Sequence, residues 1–250
     1  GGSVEEFVAL MNKSAKERGM KDTNFVNTNG LPVDNHYTSA YDIALMSKEL
    51  LRHKKISKYL TTWMDEVVVG KKQAKIGISN TNKLVKHYTG ATGVKTGFTQ
   101  QAKYCLSASA LRNNTHLIAV TLCAETSPIR FKDATSLLNY GFANYETVKI
   151  CGANEKIATV KFEKGEKENV DLVAKDDLCV LIKKGGNKDF KKKVEIKQDL
   201  KLPIEKNTEL GVVKVYRGKE LVGETKIINT EDINKASYLQ MLKRVINNLV

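Results

Sequence analysis

No stretch of about 18 consecutive apolar residues occurs in the chain, so the sequence offers no membrane-spanning helix. The opening residues, Gly1-Gly2-Ser3-Val4-Glu5-Glu6, are neither basic nor apolar enough for a secretory leader; a mature, trimmed or truncated chain is expected to start this way. Among the cysteines Cys105, Cys123, Cys151 and Cys179, no pair has the short gap of a zinc knuckle. His36, His53, His87 and His116 do not stand at ligand spacing from one another, from a cysteine or from a carboxylate, so no metal or other cofactor is expected and a structural or surface role fits each. No Gly-x-Ser-x-Gly elbow supports a serine triad of that kind. The lysine runs Lys54-Lys55, Lys71-Lys72, Lys183-Lys184 and Lys191-Lys192-Lys193 lack interleaved aromatics. They read as solvated faces, and nucleic-acid binding is not expected. Internal repeats and low-complexity tracts are also missing.

What remains is an ordinary globular composition. The 250 residues are 41% hydrophobic and 28% charged, enough for one large domain or two ordinary ones. The formal charge of +13 is spread over both halves and is nearly all lysine. It reads first as a lysine-rich solvated surface, and it also fits attraction to a polyanionic surface such as cell wall or anionic lipid.

Periodicity divides the chain by texture. Ser3-Val4-Glu5-Glu6 is a capping box opening a helix whose apolar face is Phe7, Val8, Leu10, Met11 and Ala15, with Gly19 as its stop. A polar loop follows, with Asn29-Gly30 and Pro32 as turn signals. A second helix is expected from Thr38 or Ser39, strand-like pieces near 67–69 and 76–78, and a polar loop over 79–93. Three β-type runs come next: one opening at Val94–Gly97, then 103–111 and 116–124, the last two joined at Asn113-Asn114 as a hairpin. Cys105 and Cys123 sit in those runs and read as small core residues. A helix is expected over 129–143. From 148 to 229 there is no helical pattern, only short β-rich runs between charged turns, which suggests a small sandwich or barrel. An amphipathic helix is expected from near Asp232, with Tyr238, Leu239, Leu242, Val245, Ile246 and Leu249 apolar. Such a helix lies on a membrane surface or packs on the β-rich part.

The sharpest motif is Thr92-Gly93-Val94-Lys95-Thr96-Gly97-Phe98-Thr99. Lys-Thr-Gly on an edge strand supplies a fixed cation, a hydroxyl and a position without a side chain, a combination suited to gripping a peptide carboxylate while the peptide lies along the strand. The surrounding segments are Phe7 to Asn12, Asn27-Thr28-Asn29-Gly30-Leu31-Pro32, His36 to Met46, Ser79-Asn80-Thr81-Asn82-Lys83-Leu84, and Arg130 upstream of Tyr140-Gly141-Phe142. With Lys-Thr-Gly, and in this order, they resemble the D-alanyl-D-alanine carboxypeptidase family of low-molecular-mass penicillin-binding proteins, over essentially the whole chain. The resemblance implies an α+β fold: an incomplete penicillin-binding-protein/β-lactamase-like transpeptidase domain over 1–146, a small all-β sandwich domain over 147–229 and an amphipathic helix over 230–250. It implies a serine acyl-transferase that removes the terminal D-alanine from the peptidoglycan stem peptide and is trapped by β-lactams. It assigns substrate binding to Lys95, Thr96, Gly97, Phe98 and Arg130, with Lys95 also supporting catalysis. It further implies an extracytoplasmic location, at the wall or the outer membrane face, with membrane-surface contact through the terminal helix.

The chain departs from that pattern in one respect. No serine in it begins Ser-x-x-Lys or Ser-x-Asn, the elements that carry the nucleophile, its base and the proton relay. The family places both upstream of Gly1, so an N-terminally truncated chain that is inactive alone is expected. Two other readings use the same residues. One is a serine β-lactamase-like enzyme, against which the long β-rich tail argues; the other is a non-catalytic peptidoglycan-binding module that keeps the carboxylate clamp.

Overall fold

Ser3 caps the first helix as its spacing to Glu6 predicts, its hydroxyl accepting from Glu6 N at 3.1 Å; the Glu6 carboxylate accepts from Gly2 N at 2.7 Å, one residue before the Ser3 N–H that a capping box uses. That helix, α1 (Val4–Glu17), is one element of a computed structural model that describes residues 2–71 and 73–247. Lys72 of the Lys71-Lys72 run and Leu249 of the terminal apolar face lie outside the described residues. The chain folds as two units, Gly1–Tyr145 and Glu146–Val250.

In the first unit, α2 (Ala40–Arg52) starts at Ser39, whose hydroxyl accepts from Asp42 N. Asp42 is itself buried and anchors the preceding polar loop, accepting from Asp22 N at 2.8 Å and from the Thr23 hydroxyl at 2.7 Å. A further helix, α3 (Lys54–Thr61), occupies the lysine run that sequence reads only as a charged surface. β1 (Met64–Val69) and β2 (Ala74–Ser79) form an antiparallel hairpin exposed along its whole length. The expected polar loop over 79–93 contains one turn of helix, α4 (Leu84–His87), started by Asn82 Oδ1 accepting from Leu84 N.

β3 (Ala91–Thr99), β4 (Lys103–Arg112) and β5 (Thr115–Ala124) make an antiparallel sheet in the order β3-β4-β5. Asn113 and Asn114 both have positive φ, as a two-residue hairpin turn requires. α5 (Ser127–Asn144) covers one face, packing Ala134 and Leu138 against Leu106, Ala108, Ala110 and Ala119. Gly141 permits this close approach, since a Cβ there would stand 2.5 Å from Leu117 Cδ1. The other face meets α2 through a buried Ser47–Ser107 hydroxyl pair at 2.7 Å. Cys105 and Cys123 correct the expectation of two core residues. They flank a β-bulge between β4 and β5 where Cys123 takes φ 58°, leaving Cys105 half-buried and Cys123 exposed.

The second unit is β-rich. β6 (Tyr145–Cys151), a strand that sequence does not mark, pairs with β9 (Leu178–Lys183). β7 (Lys156–Lys161), β8 (Asn169–Ala174), β10 (Lys191–Ile196), β11 (Glu209–Arg217) and β12 (Glu220–Asn229) form a five-stranded sheet in the order β10-β11-β12-β8-β7. Side chains from both sheets, among them Leu178, Val180, Leu172, Val215 and Ile227, fill one core. The terminal helix, α6 (Tyr238–Asn247), starts later than periodicity suggests. Residues before it are extended because Ile233 pairs with Ile204 and is buried, and Lys235 pairs with Gly165. The helix begins where a second capping box allows: Ser237 N donates to Gln240 Oε1 at 2.8 Å and Gln240 N to Ser237 Oγ at 3.3 Å. Arg244 moors it, donating to the carbonyls of Gly165 at 2.9 Å and Glu166 at 2.8 Å and pairing with Glu168. Tyr238, Leu239, Leu242, Val245 and Ile246 stay exposed.

Candidate functional site

The Lys-Thr-Gly segment forms the middle of β3, which has β4 on one side and, among the described residues, no strand on the other. Strand alternation puts Lys95 and Gly97 on one face and Thr96 and Phe98 on the opposite one. Lys95 is exposed, and its ammonium folds back to donate to Thr96 O at 2.7 Å. Thr96 is buried, and its hydroxyl lies 2.6 Å from that of Thr81. A hydroxyl can accept from one neighbour while donating to another, so this pair leaves one proton for an incoming acceptor. Phe98 is exposed and tilts against Tyr104 at a ring-centroid distance of 4.5 Å.

Arg130 is brought to the strand but not to the lysine. It is only 7% exposed although it stands in the first turn of α5. One guanidinium nitrogen donates to Gly97 O at 3.1 Å and Cys105 O at 3.2 Å, and the other to Ser127 Oγ at 3.2 Å. Its plane lies near the rings of Phe131 and Tyr104. Burial pulls its pKa below the ordinary arginine value, and Nε has no partner among the described residues. The arginine therefore clamps β3 to β4 at the glycine and the bulge.

Thr81 is the site neighbour that sequence reasoning did not single out, though it lies in the quoted stretch Ser79–Leu84. Its signal is the Asx turn on either side: Asn80 Oδ1 accepts from Asn82 N at 2.9 Å and Asn80 Nδ2 donates to Thr62 O at 3.1 Å, fixing where Thr81 points. Asn82 is 1% exposed with its Nδ2 unpartnered among the described residues.

The histidines stand apart from this strand segment or serve its start. His36 Nδ1 accepts from Val26 N at 3.1 Å, His53 faces Glu49, and His87 meets Trp63 edge-on. His116 Nε2 lies 2.8 Å from Thr92 Oγ1, which in turn bonds Ser109 Oγ at 2.7 Å. The residue as a whole is exposed, but desolvation of the ring holds its pKa below the ordinary 6.5. The unfolded chain then takes up the proton more readily than the folded one. The stabilisation is present above the ordinary histidine value and is lost as pH falls through and below it. Between about pH 7.5 and pH 5.5, the urea midpoint followed by Trp63 fluorescence is expected to fall more in the wild type than in His116→Gln; equal slopes would remove His116 as the cause.

Among the described residues no cluster of three or more His, Cys, Asp or Glu side chains is arranged to hold a metal ion. The arrangement suits recognition: an open strand edge for peptide pairing, a cation beside it, a shielded hydroxyl and a rigid backbone clamp.

Comparison with known proteins agrees over both units. The family profile described as D-alanyl-D-alanine carboxypeptidase matches residues 1–126, and that of the penicillin-binding protein 5 C-terminal domain matches residues 145–235. The chain is 40% identical over 248 residues to D-alanyl-D-alanine carboxypeptidase DacF of Bacillus subtilis, covering 99% of this chain and 64% of that protein. A crystal structure of penicillin binding protein 5 from Haemophilus influenzae superposes with a TM-score of 0.68 at 31% identity, covering 94% of this chain and 68% of that one. The Streptomyces K15 DD-transpeptidase superposes with a TM-score of 0.54 at 31% identity, covering 57% of this chain and 58% of that one. The chain thus spans somewhat under two thirds of the length of its curated relative DacF. With an incomplete carboxypeptidase domain followed by the β-rich C-terminal domain, this chain belongs to the D-alanyl-D-alanine carboxypeptidase family.

Proposed function

We propose that this chain supplies the substrate-gripping part of a serine-type D-Ala-D-Ala carboxypeptidase. The observation that carries the reading is the Lys95-Thr96-Gly97 segment on an open strand edge, held from behind by Arg130. A stem peptide lies antiparallel along β3, pairing with its backbone where Gly97 leaves room. Its terminal carboxylate draws the Lys95 ammonium away from Thr96 O by side-chain rotation. It accepts the Thr96 proton while Thr81 donates to Thr96, and Phe98 forms an apolar wall. Arg130 is a positioning residue that keeps the strand in register. A β-lactam carboxylate uses the same grip.

Acyl transfer itself needs the serine and lysine of Ser-x-x-Lys and the relay of Ser-x-Asn, which these 250 residues do not contain. The site works outside the cytoplasmic membrane at the wall, with the exposed apolar stripe of α6 meeting the membrane surface.

The test is a fluorescent-penicillin gel. The 250-residue chain alone is expected to show no covalent band. The chain joined to a relative's segment carrying Ser-x-x-Lys and Ser-x-Asn is expected to show one, weakened about a hundredfold by Lys95→Ala. A covalent band on the 250-residue chain alone, or an undiminished band with Lys95→Ala, would overturn the assignment.

A further inference from the structure

The second unit contains a cavity of about 920 Å³, remote in sequence from the Lys-Thr-Gly strand, between the end of β7, the loop after β10 and the wall made by Lys235, Ala236 and α6. Two adjoining segments build it. Gly165 pairs with Lys235, and Ala236 N donates to Lys164 O at 2.9 Å, so the turn after β7 and the approach to α6 are held together. Phe162, Leu200, Leu202 and Met241 give it an apolar floor.

Its rim is cationic. Lys161, Lys164, Lys197, Lys201 and Lys235 face Glu163 and Asp199 alone among acidic residues. Seven lysines elsewhere in this unit, Lys149, Lys156, Lys167, Lys175, Lys188, Lys193 and Lys214, pair with carboxylates. Lys197 is tied to Glu209 O at 2.7 Å. Among the described residues, Lys161, Lys164, Lys201 and Lys235 pair with no carboxylate. Four unneutralised ammonium groups around one concavity repel one another, a cost that an anion removes.

Charge alone would suit any anion. The floor narrows the choice, because a purely ionic ligand leaves Leu200, Leu202 and Met241 wet, whereas an anion with a hydrocarbon chain covers them. Met241 belongs to the same helix that exposes Leu239, Leu242, Val245 and Ile246, so the cavity borders an apolar stripe. We propose that this cavity is a headgroup site for an acidic phospholipid, with the phosphate among Lys161, Lys164, Lys201 and Lys235 and the first acyl carbons against Leu200, Leu202 and Met241. The choice of a lipid rests on the membrane-surface reading above, and the experiment separates the two.

The probe is dihexanoyl-phosphatidylglycerol below its micelle concentration, titrated calorimetrically into the 250-residue chain, so that no bilayer is present. Saturable binding is expected, weakened about tenfold in Lys164→Gln/Lys201→Gln and within about twofold of wild type in the control Lys183→Gln/Lys219→Gln. Dihexanoyl-phosphatidylcholine is expected to bind at least about tenfold more weakly, as is glycerol phosphate. An equal loss in the control pair would mean diffuse charge and not a site, and equal binding of phosphatidylcholine would remove the headgroup. Equal binding of glycerol phosphate or linear polyphosphate would make it a plain anion site. Each of these sinks the proposal. Flotation with phosphatidylglycerol vesicles is a separate arm: failure to float with intact binding of the monomeric lipid would count against the membrane-surface reading and leave the site standing.

Discussion

Arg130→Ala is expected to destabilise the first unit by about 3 kcal/mol, read as the urea midpoint of Trp63 fluorescence. Trp63 is the only tryptophan in the chain and lies in that unit, so its signal reports there. The size follows from what the guanidinium touches. It donates to two strand carbonyls, Gly97 O and Cys105 O, and to the Ser127 hydroxyl. Bonds from a charged donor contribute about 1.5–3 kcal/mol each, and removing the donor strands the carbonyls. Packing against Phe131 and Tyr104 is lost as well. Against this stands the relief of a desolvated cation whose Nε has no partner among the described residues, which brings the sum back to about 3 kcal/mol. Arg130→Lys should fall between the two, since a single ammonium cannot fork across both strands. A loss below about 1 kcal/mol for the alanine variant would show that β3 and β4 hold their register without the clamp.

Leu172→Ala is expected to cost the second unit about 3 kcal/mol. Leu172 is fully buried in β8, inside the five-stranded sheet, within the core shared by both sheets of that unit. Truncation there removes apolar burial and leaves a cavity that strands paired on both sides close only partly. That unit has no tryptophan, so the readout is hydrogen exchange in peptides covering 169–174 and 209–229. Protection there should fall by about two orders of magnitude if those amides exchange by global opening. Unchanged protection would mean that the sheet closes around the lost side chain.

The strands were the most legible part of the fold, because β4 and β5 combine apolar runs with an Asn-Asn turn whose geometry admits few alternatives. Helix starts were legible where a side chain caps them, as at Ser3 and Ser39. They were misplaced where tertiary pairing decides: the bridges of Ile233 and Lys235 keep the chain extended until Ser237, beyond any local periodicity. α3 is not legible in the sequence, because two lysines at its start mask a helical pattern. Cys123 reads as a core residue in the sequence because a bulge does not show in composition.

At the candidate site, the sequence marked Lys95, Thr96, Gly97, Phe98 and Arg130 as a motif and its distant companion. Only the fold brings the Thr96 hydroxyl to that of Thr81 and turns Arg130 to the backbone of Gly97 and not to the lysine. Those relations join residues far apart in sequence, 15 and 33 positions respectively, and depend on how α5 and the 79–84 turn fold onto the sheet.

The mooring of α6 by Arg244 has a kinetic side. An unanchored peptide must wind into a helix when it reaches an interface, and ordering each residue costs about 1–2 kcal/mol of chain entropy. On the membrane-surface reading proposed above, a helix already wound and hooked by its arginine to the carbonyls of Gly165 and Glu166 would meet that interface with its stripe formed. Adsorption on that reading would be the landing of a preformed helix, with no winding step to slow it.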